Sequence, residues 1–170
     1  RVLFRSFGAA TKFSQASLDA DKRYTATLRL GQTRAGGDLE GDILRERPVQ
    51  VTPESLAAAC ARFTGDIDQV PPMHSALKKD GKALYEYARA GIEVERAPRR
   101  VTIHSLDMRA WDPVQLTLTL DVQCSKGTYI RTLAEDLGEW LGCGAHLAAL
   151  RRTGSGGLAL SHAATLEQLA

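Results

Sequence analysis

From residue 114 to residue 124 the sequence alternates without a break. Val114, Leu116, Leu118, Leu120, Val122 and Cys124 are apolar, and Gln115, Thr117, Thr119, Asp121 and Gln123 between them are polar. A period of two is the repeat of a strand with one face buried and one wet. Ser125, Lys126 and Gly127 then break the pattern, and the apolar spacing turns helical. Ile130, Leu133, Ala134, Leu137, Trp140 and Leu141 fall on one stripe of a helix over about 129–141, and Gly142 ends it. A buried strand that feeds directly into an amphipathic helix requires a sheet with that helix packed on it.

The rest of the chain fills in this α+β plan. Tyr24, Ala26, Leu28 and Leu30 alternate with Thr25, Thr27 and Arg29, a second strand with one buried face. Residues 31–41, rich in Gly, Asp and Arg, read as an exposed loop. Thr52, Pro53 and Glu54 open a helix: a capping hydroxyl, a preset φ and a carboxylate at the positive end of the dipole. Its apolar stripe is Leu56, Ala57, Cys60 and Phe63, with Gly65 beyond. Val70, Pro71 and Pro72 force an extended connection. A short helix is predicted over 84–90, closed by Gly91. A strand is predicted over 99–109, with Val101, Ile103 and Ser105 on one face. Residues 165–169 look like a helix start. Strands and helices mix without regular βαβ alternation, which predicts a mixed or antiparallel sheet flanked by helices. The 170 residues suffice for one domain and its core.

Charge does not single out a partner. There are 22 Lys and Arg against 20 Asp and Glu, a net charge of +2. Any electrostatic work on a polyanion must therefore fall to local basic faces. Candidates are Lys78, Lys79 and Lys82 near Tyr85, Tyr87 and Arg89, then Arg96, Arg99 and Arg100, and finally Arg151 and Arg152. Cys60, Cys124 and Cys143 are odd in number and far apart, against a disulfide framework or zinc site and in keeping with a reducing cytoplasm. His74, His104, His146 and His162 show no metal-ligand spacing, so no metal is expected. No apolar run is long enough for a membrane span, and the first residues do not read as a signal peptide.

Two stretches carry the chemistry. In the first, residues 124–131, a buried strand ends, a Gly turn comes next and a helix begins. Such turns hold polar side chains at a sheet edge, where pockets form. Tyr129 offers a ring and a hydroxyl, and Arg131 a planar fork that matches carboxylate or phosphate. Solvated Lys126 and Arg131 on a capped helix would be the plain alternative. In the second, Asp21, Lys22 and Arg23 precede Tyr24, an aromatic beside cations that can stack a base and steer a phosphate chain.

These stretches resemble the TruB family of tRNA pseudouridine synthases. The likeness runs from about residue 7 to the end of the chain. It covers residues 7–13 (FGAATKF), 21–24 (DKRY), 71–78 (PPMHSALK), 84–89 (LYEYAR) and 124–131 (CSKGTYIR), then Leu137-Gly138, 141–146 (LGCGAH) and 150–153 (LRRT), in the family's order. The resemblance implies a pseudouridine-synthase-like sheet flanked by helices and one partial catalytic domain over 1–170, with an RNA-clamping segment at about 66–100. It implies isomerisation of a uridine in the T-arm loop of tRNA, without metal or organic cofactor, by a cytoplasmic monomer.

It also assigns residues. Arg131 matches the arginine that pairs with the family's catalytic aspartate. Tyr24 matches the tyrosine that stacks on the flipped base, Tyr129 another pocket tyrosine, and Leu150 an apolar pocket residue. Lys78, Lys79, Lys82, Tyr85, Arg89, Lys126, Arg151 and Arg152 are the implied RNA contacts. The family's aspartate lies in a G-x-L-D-P-x-A-T-G segment whose place would fall before Arg1. The chain as it stands is therefore expected to be inactive, lacking the N-terminal strands, with Arg131 missing that carboxylate and more solvated than in the intact enzyme. His74 replaces the family's usual Tyr, and residues 34–37 replace a more acidic loop. A module that binds or folds RNA without catalysis is the competing expectation.

Overall fold

The computed structural model describes residues 18–163. The family-like segment 7–13 and the helix start expected at 165–169 lie outside the described residues. The elements are β1 (Lys22–Leu30), β2 (Gln32–Arg34), β3 (Ile43–Glu46), α1 (Pro53–Arg62), β4 (Gly65–Gln69), β5 (Lys78–Lys79), β6 (Lys82–Ala83), α2 (Leu84–Arg89), β7 (Arg99–Asp112), β8 (Thr117–Cys124), α3 (Ile130–Trp140), β9 (Ala145–Ser155) and β10 (Leu158–Ala159). Six strands make one sheet in the order β10-β9-β1-β8-β7-β4. Every strand pair in it is antiparallel, one of the two sheet types that the sequence allowed.

The predicted alternations build the core. Ala26, Leu28 and Leu30 of β1 and Leu118, Leu120 and Val122 of β8 share a face with Leu133, Ala134 and Leu137 of α3 and Leu56, Ala59 and Cys60 of α1. Each fully buried leucine contributes about 2 kcal/mol. All three cysteines are free and buried here, and burial pushes each thiol up from its ordinary value.

Four local readings need correcting. The long alternation overshoots, because β8 begins only at Thr117. Asp112 Oδ1 accepts from the N–H groups of Val114 and Gln115 at 2.9 Å each and closes a turn, leaving Val114 83% exposed. In β7 a bulge falls between Ile103 and Ser105. The extra residue hands the buried face to Leu106, opposite Val122, in place of Ser105. On α1 the buried alanine is Ala59, while Ala57 is exposed. Residues 31–41 are not a plain loop: β2 pairs with β3, and Gly37 within that stretch is buried.

The start of α1 agrees closely with the sequence. The Thr52 hydroxyl accepts from Ser55 N–H at 3.2 Å, and the Ser55 hydroxyl accepts from Thr52 N–H at 2.9 Å. This reciprocal cap satisfies two donors that the helix cannot. Thr52→Ala is expected to cost about 1 kcal/mol in urea unfolding, with the slope unchanged.

Candidate functional site

A cleft of about 1300 Å³ opens beside the sheet, between the β2–β3 hairpin, the segment that enters α2, the first turn of α3 and the middle of β9. Arg131, Asp38, His74, Tyr85, Arg89 and Leu150 are among its walls.

The sequence builds the Arg131 position from the turn before α3. Gly127 has φ +80°, which suits glycine. The Thr128 hydroxyl donates to Ser125 O at 2.9 Å. Tyr129 caps α3 without a side-chain cap of its own. Gln69 of β4, 1% exposed, serves instead: its Oε1 accepts from Tyr129 N–H at 3.0 Å, and its Nε2 donates to Tyr129 O at 3.2 Å. A buried amide satisfied at both ends pins the start of the helix to the sheet.

From that fixed point Arg131 spans the cleft. Its Nη1 donates to Asp38 Oδ2 at 3.0 Å and to Gly36 O at 3.3 Å, and its Nη2 donates to His74 O at 2.7 Å. Arg131 thus has a carboxylate partner among the described residues, although not the family's aspartate. Asp38 is its carboxylate, and the two side chains are 24% and 28% exposed. Nothing local marks Asp38 out from Glu40 or Asp42. Only the fold of the hairpin, with Asp38 bridged to Leu147 of β9, brings it to Arg131.

The other expected residues divide into groups. Leu150 lines the Arg131 cleft and is 47% exposed. Tyr85 and Arg89 line it too, with the Arg89 guanidinium 5.3 Å from the Tyr85 ring centroid. Tyr24 stands in β1 opposite Arg152 of β9, with that guanidinium 5.5 Å from its ring, and Ala26 stands opposite Leu150. Cross-strand partners share a face, so Tyr24, Leu150 and Arg152 lie on the side of the sheet that carries the core. Arg151, opposite Thr25, points to the other side and lines a separate groove there. The two arginines grouped by sequence thus serve different faces. Tyr24 and Tyr129 are not among the walls of the Arg131 cleft.

In the β5–β6 hairpin Lys82 lies 4.9 Å over the Tyr87 ring, and Lys79 Nζ donates to Glu95 O at 2.9 Å. Lys78 is exposed on the same hairpin. Lys126 pairs with Asp19 at 2.7 Å, in an exposed setting where such pairs contribute little. Of the expected clamp over 66–100, the ends belong to the sheet as β4 and the start of β7, so the excursion is residues 70–98.

The acidic groups behind Arg131 are perturbed. Burial, then the neighbouring Asp136, pushes the Glu135 carboxyl up to about 7, against a smaller downward pull from Arg131. Burial also raises Asp136. A carboxyl raised on folding binds protons more readily in the folded state. Glu135 therefore subtracts stability as pH rises from about 4.5 to about 7, and not further above that. Among the described residues no group of His, Cys, Asp and Glu could hold a metal ion, and no helix is long and apolar enough to cross a membrane.

The chain that carries this sheet and cleft is similar to known proteins. The N-terminal domain of TruB family pseudouridylate synthases matches residues 2–130, and the C-terminal domain of tRNA pseudouridylate synthase B matches residues 131–170. The chain belongs to the TruB family of pseudouridylate synthases. A tRNA pseudouridine synthase B from Ralstonia pickettii is 66% identical over 165 residues, which is 96% of this chain and 52% of that protein. One from Pseudomonas aeruginosa is 59% identical over 168 residues, 99% of this chain and 55% of that protein. The chain thus spans about half the length of the curated relatives it matches. Among solved structures, a chain of a Cbf5-Nop10-Gar1 complex superposes with TM-score 0.63 at 28% identity, over 89% of this chain and 35% of that one.

Proposed function

We propose that this chain provides much of the catalytic domain of a tRNA pseudouridine synthase that isomerises a uridine in the T-arm loop. Family membership supports the reaction, and the Arg131 cleft carries the reading to particular residues. In this reading Arg131 holds a reacting carboxylate ionised and oriented, since a planar fork on a fixed helix end supplies both charge and direction. The sequence holds no G-x-L-D-P-x-A-T-G segment, so that carboxylate is assigned to a stretch upstream in the longer protein. Asp38 keeps the fork aimed. Leu150 gives the flipped base an apolar wall. Tyr24 and Tyr129 supply aromatic contacts, and Tyr24, backed by Arg152, has the face on which a base can stack. Lys78, Lys79, Lys82, Tyr85 and Arg89 hold the outside of the stem-loop by shape and phosphate contact, Lys126 and Arg152 add further cations, and Arg151 meets RNA from the other face of the sheet. The working form is a cytoplasmic monomer.

The test uses an unmodified T-arm stem-loop with this chain and with a version extended upstream through the aspartate segment. Only the extended form is expected to convert uridine. Both should bind, with an affinity that falls as salt rises. Binding by both with conversion by neither would favour the non-catalytic RNA-binding module.

A further inference from the structure

Beside the cleft lies a histidine that the proposed isomerisation does not use. His146, the second residue of β9, is fully buried. Its Nδ1 lies 2.9 Å from Gln32 O, at the start of β2. A carbonyl oxygen can only accept, so Nδ1 carries a proton. Burial, opposed by that same hydrogen bond, pushes the imidazole below its ordinary value and favours the neutral ring. Nε2 is then a bare acceptor, buried and without a hydrogen-bond partner among the described residues. An orphaned acceptor is costly in a core, and an apolar side chain would fill the space without it. What the imidazole adds is the bond to Gln32.

Gln32 is the hub of the hairpin. Its Oε1 accepts from Arg34 Nε at 2.8 Å, and its Nε2 donates to Glu46 Oε1 of the facing strand at 2.9 Å. Arg34 Nη1 in turn donates to Leu39 O at 3.3 Å and to Gly41 O at 3.1 Å. The loop that carries Asp38 is thus closed from Gln32. The stretch from Gly144 to Leu147 holds this unit at three points. Gly31 N–H donates to Gly144 O at 2.9 Å, His146 donates to Gln32 O, and Leu147 is bridged to Asp38. Of these holds, only that of His146 is made by a side chain from that stretch.

We propose that His146 is a positioning residue: by fixing Gln32 O it sets the seat of the hairpin against β9, and so where Asp38 meets Arg131. Asp38 Oδ2 lies 3.0 Å from Arg131 Nη1. Without the His146 donor, Gln32 comes free of β9, the loop tied to it through Arg34 shifts, and the Arg131 fork loses its aim. The effect on turnover rests on the isomerase reading; the effect on Arg131 does not.

The first measurement needs no variant. Imidazole nitrogen NMR of this chain should find the His146 proton on Nδ1, and a neutral ring with its proton on Nε2 overturns the proposal. Two variants then separate the donor from the ring. His146→Asn keeps an N–H near the Nδ1 position, and His146→Leu fills the space without one. The Arg131 side-chain N–H resonances should shift in His146→Leu and stay near wild type in His146→Asn. Resonances unmoved in folded His146→Leu overturn the proposal. If His146→Leu does not fold, His146→Gln, whose N–H sits one carbon further out, makes the same contrast with His146→Asn. In the upstream-extended protein, His146→Leu should lower kcat for stem-loop conversion roughly tenfold with KM within about twofold, and His146→Asn should recover most of the loss. In an Asp38→Ala background His146→Leu should cost no further turnover, because its effect passes through Asp38. Losses that multiply in full, or a loss that asparagine does not recover, overturn the functional part. No turnover in the extended wild type would sink the isomerase reading itself, and the Arg131 resonances would then decide the structural part.

Discussion

Arg131→Ala is expected to lower turnover of the upstream-extended protein by roughly 10²–10³-fold, in the range for loss of a preorganised donor at a reacting charge. Three carbonyl or carboxylate contacts go with it: Gly36 O, Asp38 Oδ2 and His74 O. Asp38 is left part-buried with no cation against it. A fully buried pair broken this way would cost more, but at 24% and 28% exposure roughly 1–2 kcal/mol of folding stability is expected. Arg131→Lys should restore little of the turnover, because one ammonium cannot reproduce a fork that bonds in two directions. Stem-loop conversion at saturating RNA, alongside urea unfolding, separates the two effects. Turnover within about threefold of wild type in Arg131→Ala would remove Arg131 from the chemistry.

A large effect on stability is expected at Gly138. In an exposed helix interior, glycine to alanine gains about 1 kcal/mol. Gly138 is buried in α3, and an added Cβ would overlap Ala145 N, Gly144 C and Ala145 Cβ, well inside contact distance. Gly144 N–H also donates to Gly138 O at 2.8 Å, so helix and strand meet backbone to backbone. Backbone cannot step aside as a flexible side chain can. Gly138→Ala is therefore expected to cost about 3 kcal/mol and lower the melting temperature by roughly 10 °C. A melting temperature at or above that of wild type would show that α3 can lift off β9 at little cost.

The elements whose periodicity spans several turns or pleats were legible in the sequence. β1, β8 and α3 fall close to where alternation and 3.6-residue spacing place them, because each presents one long face to one core. Ser105 misled because one unpaired residue in β7 reverses the facing of the residues after it, and no local signal announces a bulge. Val114 misled because its alternation runs on past the point where Asp112 turns the chain. The family likeness pointed to Arg131, yet its partner Asp38 stayed hidden, as did the Gln69 bracket. Both arise where segments far apart in sequence meet, 93 residues apart for Asp38 and Arg131 and 60 for Gln69 and Tyr129. The bond between His146 and Gln32 is hidden for the same reason.

The strand order also has a consequence in time. β1 is the earliest described strand, yet it lies between β8 and β9, which come late in the chain. Thr25 and its partner Asp121 are separated by 96 residues. At ordinary rates of synthesis, about 5–20 s pass between their emergence from the ribosome. Throughout that interval β1 has neither of its neighbours. Pairings this distant also make for slow folding once the chain is released. Arg23, Thr25, Thr27 and Arg29 put a charge or hydroxyl at every second position of β1, the pattern expected to keep a lone apolar strand from joining another copy of itself.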